Sequence, residues 1–287
     1  VVLFWHLGML KLLPFLRIGT SSKVAVYLHG TEAWAPFDRS VNRLMNRVDL
    51  FLANSDFTWL RFGDQHPELV NKPWRRVALG LGEPAPAADA SSRPVAIMIG
   101  RMARTEGYKG HGEVLEAWPM VERALPGAEL CIVGTGDLEA DLRGRAKRLA
   151  LNSVRFTGSV TEQQKHELLC QSRCLLMPSS GEGFGLVYLE AMRLGRPCLV
   201  SHLDAGQEVV NPPEAGLAAD RSNMPELSSA VVRLLADTPE QRSMSVNAKR
   251  RYEAHFTARH FSSRLLRALE EMVHPGGRVE ALREELV

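Results

Sequence analysis

Between residues 95 and 201, short apolar runs alternate with helical stretches, and that alternation leaves few folds open to the chain. Residues 95–100 (VAIMIG), 129–134 (ELCIVG), 154–157, 174–178 and 197–201 read as buried strands. Between them, residues 112–125, 138–150, 161–171 and 186–195 read as helices. Pro119 is an expected kink or break in the first of these, and Thr161 the expected N-cap of the third. Gly195 with Pro197 just beyond it is a stop signal for the last. Strands alternating with helices build a parallel sheet covered on both faces. Such sheets bind ligands beyond the carboxyl ends of their strands. Gly100, Gly134, Gly158 and Ser179 fall at those ends, so their loops are expected to gather on one rim.

One of these loops carries chemistry. Residues 179–192 (SSGEGFGLVYLEAM) run a glycine-rich turn straight into a helix, with Glu182 on the turn and Glu190 inside the helix. A turn of this kind leaves backbone N–H groups at the positive end of a helix, which suits a phosphate. Carboxylates accept hydrogen bonds from sugar hydroxyls, and phosphate beside polyol describes a nucleotide-sugar. When such a molecule loses its diphosphate, the leaving group gains negative charge and the sugar carbon gains oxocarbenium character. A site for that reaction needs positive charge at the phosphates and a fixed sugar. Arg101 directly follows the strand 95–100, and Lys109 ends the same loop. With the helix N-terminus they make three positive elements, so no metal ion is required, and no Asp, Glu and His cluster with metal spacing is seen. Taken singly, each residue has a plainer reading. Arg101 and Lys109 would be a solvated loop pair, Glu182 and Glu190 surface carboxylates, and His29 a strand-end histidine. Gly134-Thr135-Gly136 resembles a phosphate loop but lacks the third glycine of a dinucleotide fingerprint.

Bulk properties set the class. The 287 residues suffice for roughly two domains, and 45% hydrophobic with 24% charged residues is a globular balance. A net charge of +2 argues against a nucleic-acid surface. Residues 1–82 carry ten Lys/Arg against six Asp/Glu, which fits an anionic ligand, an anionic membrane face or plain solvated surface. Cys131, Cys170, Cys174 and Cys198 have neither disulfide-scaffold nor zinc spacing. They suit a reducing cytoplasm. No apolar run is long enough to cross a bilayer, and no leader pattern is seen.

Together these pieces resemble the retaining GT-B glycosyltransferases, in the large family that includes sucrose synthase and bacterial lipid and polysaccharide mannosyltransferases. The matching segments are GRMARTEGYKGH, VGTGDLEADL, VRFTGSV, MPSSGEGFGLVYLEAMRLGRPCLVS and AGQEVV, in family order over residues 95–210. EGFGLVYLEAM is quite specific, whereas VGTG alone is not. The resemblance implies an α/β, GT-B architecture of two Rossmann-like, doubly wound parallel-sheet domains facing a cleft. It implies that Arg101 and Lys109 hold the donor diphosphate and that backbone N–H groups of Gly183, Phe184, Gly185 and Leu186 face phosphate and sugar oxygens. Glu182 would bind donor-sugar hydroxyls and Glu190 the ribose. Gly134, Gly158 and Val160 would also border the donor, with residues 155–160 lining the base. In the first part, YLHGTEAW places His29 near the reacting sugar carbon, and LANSDFT places Ser55 near the cleft. His29, Arg101, Lys109 and Glu182 are the implied catalytic positions. The implied reaction keeps the anomeric configuration, with no cofactor, no metal and no covalent nucleophile. The donor is a nucleotide-diphosphate sugar, UDP- or GDP-linked, and the acceptor a hydroxyl of a lipid, saccharide or small molecule.

The organisation expected is a partial acceptor-side domain over residues 1–82, a linker over 83–92 (EPAPAADASS), a nucleotide-sugar domain over 93–255, and a helical segment with a tail over 256–287. The first domain looks truncated, because about 80 residues precede the linker where such a domain takes ~150. Residues 4–18 (FWHLGMLKLLPFLRI) have two readings. The favoured one is a core helix interrupted at Pro14; the other is peripheral contact with the inner membrane face. Three rival functions stay open: a glycoside hydrolase using Glu182 and Glu190, an NAD-dependent dehydrogenase built on residues 133–136, and a non-catalytic nucleotide-sugar-binding subunit.

Overall fold

The computed structural model describes residues 1–17, 19, 21–35, 37, 39–86 and 92–274. Residues 87–91 of the expected linker and the tail from residue 275 lie outside that set. The chain forms two compact units, Val1–Gly80 together with the segment from Ala258, and Leu81–Thr257.

The first unit holds a four-stranded parallel sheet. Its strands are β1 (Val2–Phe4), β2 (Val24–Leu28), β3 (Leu50–Ala53) and β4 (Trp74–Arg76), in that spatial order. Helix α1 (Arg39–Met45) leads into β3, and α2 (Asp56–Gln65) follows it. β2 and β3 are buried at every residue, as strands covered on both faces must be. One face packs Val24, Val26, Leu28, Phe51 and Ala53 against Met45, Trp59 and Phe62. The other packs Ala25, Tyr27, Leu50 and Leu52 against Phe261, Leu265 and Ala268 of the C-terminal helix Ala258–Val273.

The core helix expected over residues 4–18 forms in part: it packs Leu7, Leu10 and Leu13 into the core of the first sheet, but it is shorter and is a 3-10 helix. Val2–Phe4 pairs with Val24–Val26 as a strand, and Leu7–Phe15 is a 3-10 helix. Two local features favour this. His6 Nδ1 accepts from the Gly8 N–H at 3.0 Å and starts the turn, and Pro14 has no N–H for an α-helical bond. Leu7, Leu10 and Leu13, three residues apart, form the buried stripe that a three-residue turn requires. Met9, Leu12 and Phe15 form the opposite stripe and are exposed, Phe15 by 82%.

The second unit is a six-stranded parallel sheet with strand order β10-β9-β8-β5-β6-β7. In chain order come β5 (Val95–Ile99), α3 (His111–Ala124), β6 (Glu129–Val133), α4 (Glu139–Arg148), β7 (Val154–Gly158), α5 (Glu162–Cys170) and β8 (Cys174–Leu176). Then follow α6 (Leu186–Arg193), β9 (Cys198–Ser201), α7 (Gly206–Val210), β10 (Gly216–Ala219), α8 (Met224–Leu235) and α9 (Pro239–His255). Thr161 caps α5 in a complete capping box with Gln164. Pro119 does not break α3, which runs unbroken through it. Val114, Leu115, Trp118 and Val121 are buried on that helix, and their burial at ~1.5–3 kcal/mol each outweighs the ~3 kcal/mol cost of an interior proline.

The strand order positions the site. From β5 the chain adds β6 and β7 on one side, then returns to add β8, β9 and β10 on the other. The switch point lies between β5 and β8, where the loops after two adjacent strands part to opposite faces and leave a crevice. Those loops are residues 100–110 and 177–185.

Candidate active site

The loop after β5 closes over the sheet end. Lys109 folds back across Gly100, where an added Cβ would lie 3.0 Å from its Cδ. Its Nζ stands 2.6 Å from Glu182 Oε1 and 3.5 Å from Glu106 Oε2. Glu106 also pairs with Arg101. Lys109 and Glu182 are therefore brought into direct contact, and Arg101 joins them through Glu106. Exposure separates the two cations: the Lys109 side chain is 14% exposed, that of Arg101 79%. Burial works against the Lys109 charge, but Glu182 and Glu106 outweigh it and raise its pKa, so the group is an ammonium. Its charge is held by two carboxylates.

The turn after β8 faces this loop. Ser180 N–H donates to the Tyr108 carbonyl at 3.0 Å, and Gly181 packs on the Tyr108 ring. Gly185, at φ +82°, is the N-cap of α6, a conformation that favours glycine. Leu186 opens the helix and is 42% exposed, while Phe184 is 4% exposed and anchors edge-on against Phe256. The helix N-terminus after Gly183 thus lies on the same turn as Glu182 and beside the Lys109 loop.

Glu190 is engaged elsewhere. Its Oε1 accepts from Lys165 Nζ at 2.9 Å, and Lys165 also pairs with Glu162 at 2.8 Å. Both line a cavity of about 250 Å³ with His166, Leu169, Arg193 and Leu194. Residues 155–157, 159 and 160 border a second cleft of about 360 Å³ on the other side of α5.

The glycines at the sheet rim have a packing role. Gly100 N–H donates to the Val133 carbonyl, Gly134 N–H to Gly158, Met102 N–H to Thr135, and Leu138 N–H to Met102. The loops after β5 and β6 are zipped so closely that a Cβ on Gly134 would stand 2.0 Å from the Gly100 oxygen, and one on Gly136 2.2 Å from the Met102 oxygen. Backbone approach therefore accounts for the Gly-Thr-Gly pattern. Gly158, at φ +72°, has nothing within 4 Å of its Cβ position.

In the first unit His29 follows β2. Its Nε2 lies 2.6 Å from the Trp5 carbonyl, and its N–H donates to Glu32 at 2.5 Å. Asn54 Nδ2 donates to the His29 carbonyl at 2.5 Å. Trp5 stacks on Tyr27 and meets His29 edge-on. Ser55 caps α2, its Oγ accepting from Thr58 N–H at 3.0 Å.

Four residues escaped the sequence reading: Glu106, Lys165, Asp204 and Arg221. Arg221 Nη1 donates to the Tyr108 carbonyl at 2.6 Å and to Ser180 Oγ at 2.8 Å, and its other nitrogen pairs with Glu113. One guanidinium thus ties the loop after β5 to the turn after β8. It follows β10, a strand of sequence GLAA with no β-branched signal. Glu106 and Lys165 lay inside segments already under attention, but no motif marked Glu106 as the carboxylate between Arg101 and Lys109, and the Glu190 that Lys165 meets lies 25 residues on.

Residues 93–237 match the family described as glycosyl transferases group 1. The chain is 29% identical over 271 residues to the GDP-mannose-dependent monoacylated alpha-(1-6)-phosphatidylinositol monomannoside mannosyltransferase of Corynebacterium glutamicum, covering 87% of this chain and 70% of that protein. It is 32% identical over 179 residues to the phosphatidyl-myo-inositol mannosyltransferase of Mycobacterium leprae, covering 61% of this chain and 46% of that protein. The match thus spans 46% to 70% of the length of these relatives. Among solved structures, Anabaena HepE in complex with UDP superimposes with a TM-score of 0.77 at 18% identity, over 94% of this chain and 78% of that one. With the family pattern covering more than half of its residues and the two parallel sheets shared with such neighbours, the chain belongs to the glycosyl transferases group 1 and has the GT-B fold.

Proposed function

We propose that this chain is a glycosyltransferase, moving a hexose from a nucleotide-diphosphate sugar to a hydroxyl acceptor with retention of configuration and without a metal ion. The observation that carries the proposal is the half-buried Lys109 ammonium, held against Glu182 at the switch point of a parallel sheet. The donor diphosphate takes the place of Glu106 and Glu182 on Lys109 and Arg101, and the N-terminal turn of α6 supplies further positive potential. Glu182, released from Lys109, accepts from the sugar hydroxyls. Glu190, steadied by Lys165, accepts from the ribose. The bond from the sugar carbon to the phosphate oxygen breaks as the acceptor oxygen bonds to that carbon. The acceptor proton passes to the leaving phosphate, so atoms and charge balance without a covalent nucleophile. His29, beside the exposed Trp5 ring, belongs to the acceptor side, and Gly134, Gly158 and Val160 to the donor rim.

GDP-mannose is the donor we favour, because the mannosyltransferase relatives named above include a GDP-mannose-dependent one. A phosphatidylinositol lipid, bare or already carrying a mannose, is the acceptor class their names suggest. A thermal-shift panel of GDP, UDP, ADP and their sugars tests the donor. Ligand at 100 times its Kd stabilises by about 2.7 kcal/mol, which for a chain of this size is roughly 5 °C or more. GDP and GDP-mannose should give the largest shift, and Glu190→Ala should abolish most of it. A panel in which no nucleotide moves the melting temperature sinks the proposal, and binding without transfer to any acceptor supports a non-catalytic subunit instead.

Contact with an anionic membrane is a further part of the proposal, supported by the exposed Met9, Leu12 and Phe15 stripe beside Lys11. The chain should float with phosphatidylglycerol vesicles, and Phe15→Glu should reduce that. Absence of wild-type flotation removes membrane contact from the reading.

A further inference from the structure

The loop after β9 contributes a carboxylate that no donor-site motif contains. Asp204 is 4% exposed. Its Oδ2 accepts from the Glu182 backbone N–H at 3.0 Å, and its Oδ1 from that of Gly206 at 2.9 Å. The Ser179 hydroxyl hydrogen-bonds it as well. Ala205 N–H donates to the Glu182 carbonyl at 3.3 Å, so the two loops are joined from both sides. A single side chain therefore fixes the backbone of the residue whose own carboxylate meets Lys109.

We propose that Asp204 is a positioning residue for the donor turn, holding Glu182 in place as a carboxylate and loosening the turn when it takes up a proton. The proposal rests on the donor-site reading of that turn. An ionised carboxylate accepts both N–H bonds, whereas a protonated one turns one oxygen into an O–H donor aimed at an N–H. Among the described residues Asp204 forms no ion pair, so backbone and hydroxyl groups alone hold its charge. Burial pushes its pKa up to about 6, the three hydrogen bonds hold it down, and the Glu182 charge adds to the rise. The Tyr188 hydroxyl on α6 donates to the Met177 carbonyl at 3.0 Å. Burial first, then the charge of Asp204, raise its pKa well above the usual value, so it stays neutral throughout. Glu182, whose backbone N–H Asp204 accepts, in turn meets Lys109. With a pKa of about 6, Asp204 changes charge between pH 7 and pH 5.

The test is calorimetric binding of GDP to the whole chain from pH 8 to pH 5, in wild type and in Asp204→Asn. GDP titrates too, but equally for both proteins, so the ratio of their affinities isolates Asp204. The ratio should favour wild type at pH 8 and collapse about tenfold between pH 7 and pH 5, as the ionised fraction falls through its midpoint. Should the Asn chain fail to fold, Asp204→Ser removes the titrating group in its place. A ratio independent of pH, or an Asn chain that binds as tightly as wild type at pH 8, overturns the role of Asp204 and leaves the donor site standing. Failure of both chains to bind any nucleotide overturns the donor-site reading itself, and this proposal with it.

Discussion

Lys109→Ala should weaken GDP binding by about 100-fold or more, and reduce transfer at least as much. Two effects add. The diphosphate loses its half-buried cation, and it meets two carboxylates, Glu106 and Glu182, that Lys109 no longer neutralises. Removing one partner of a buried charge pair typically costs about 3–5 kcal/mol, because the other charge stays behind. Arg101→Ala should cost less, since its side chain is mostly exposed and water screens it. Calorimetric titration with GDP measures both. If Lys109→Ala binds within threefold of wild type, the phosphate site lies elsewhere. A Lys109→Ala, Glu182→Gln double variant should recover part of the loss, because it removes a stranded charge as well as the cation.

Gly134→Ala should be among the most damaging small substitutions in the second unit. Its φ of +132° suits only glycine, and the new methyl would stand 2.0 Å from the Gly100 oxygen, a backbone atom that cannot move without unzipping the loops after β5 and β6. Backbone strain alone costs about 1–3 kcal/mol, and displacing the loop brings the total to about 4 kcal/mol or more. The melting temperature should fall by roughly 10 °C. Gly127→Ala is the control. Its φ is +86°, but nothing lies within 4 Å of the added carbon, so only the strain applies. Thermal unfolding of the two variants separates crowding from strain. If they unfold alike, the close approach is not what holds Gly134. The displaced loop also carries Arg101, so donor binding should weaken at Gly134→Ala and not at Gly127→Ala.

Much of the second unit was legible as sequence. Residues 95–100 and 129–134 are continuous apolar runs, and burial on both faces leaves such runs little choice but a central parallel strand. The turn at 179–185 could be read because its glycines and Glu182 are contiguous. The first unit was less legible. Within residues 4–18 the helix was legible, but its 3-10 form and its start at Leu7 were not, since β2 captures Val2–Phe4 by pairing, a contact 22 residues away. The strands Trp74–Arg76 and Gly216–Ala219 went unread because one is largely exposed and the other is built of small residues. Gly216 is required there by crowding, since a Cβ would stand 1.9 Å from the Cys198 oxygen.

The same division holds at the site. Local order determined the parts: a cation after one strand, a second cation at the end of that loop, and a glycine turn with a carboxylate opening a helix. These depend on neighbours within a dozen residues, so their pattern survives in the linear chain. What only the tertiary structure decided is how the parts are held. Glu106 shares Lys109 with Glu182, Lys165 steadies Glu190, Arg221 ties Tyr108 to Ser180, and Asp204 holds the Glu182 backbone. Most of these partners lie tens of residues apart in the chain and meet because the strand order brings the loops after β5, β8, β9 and β10 to one end of the sheet. Side-chain reach is a few ångströms, so the folded order of the strands, and not their order in the chain, selects which charges meet.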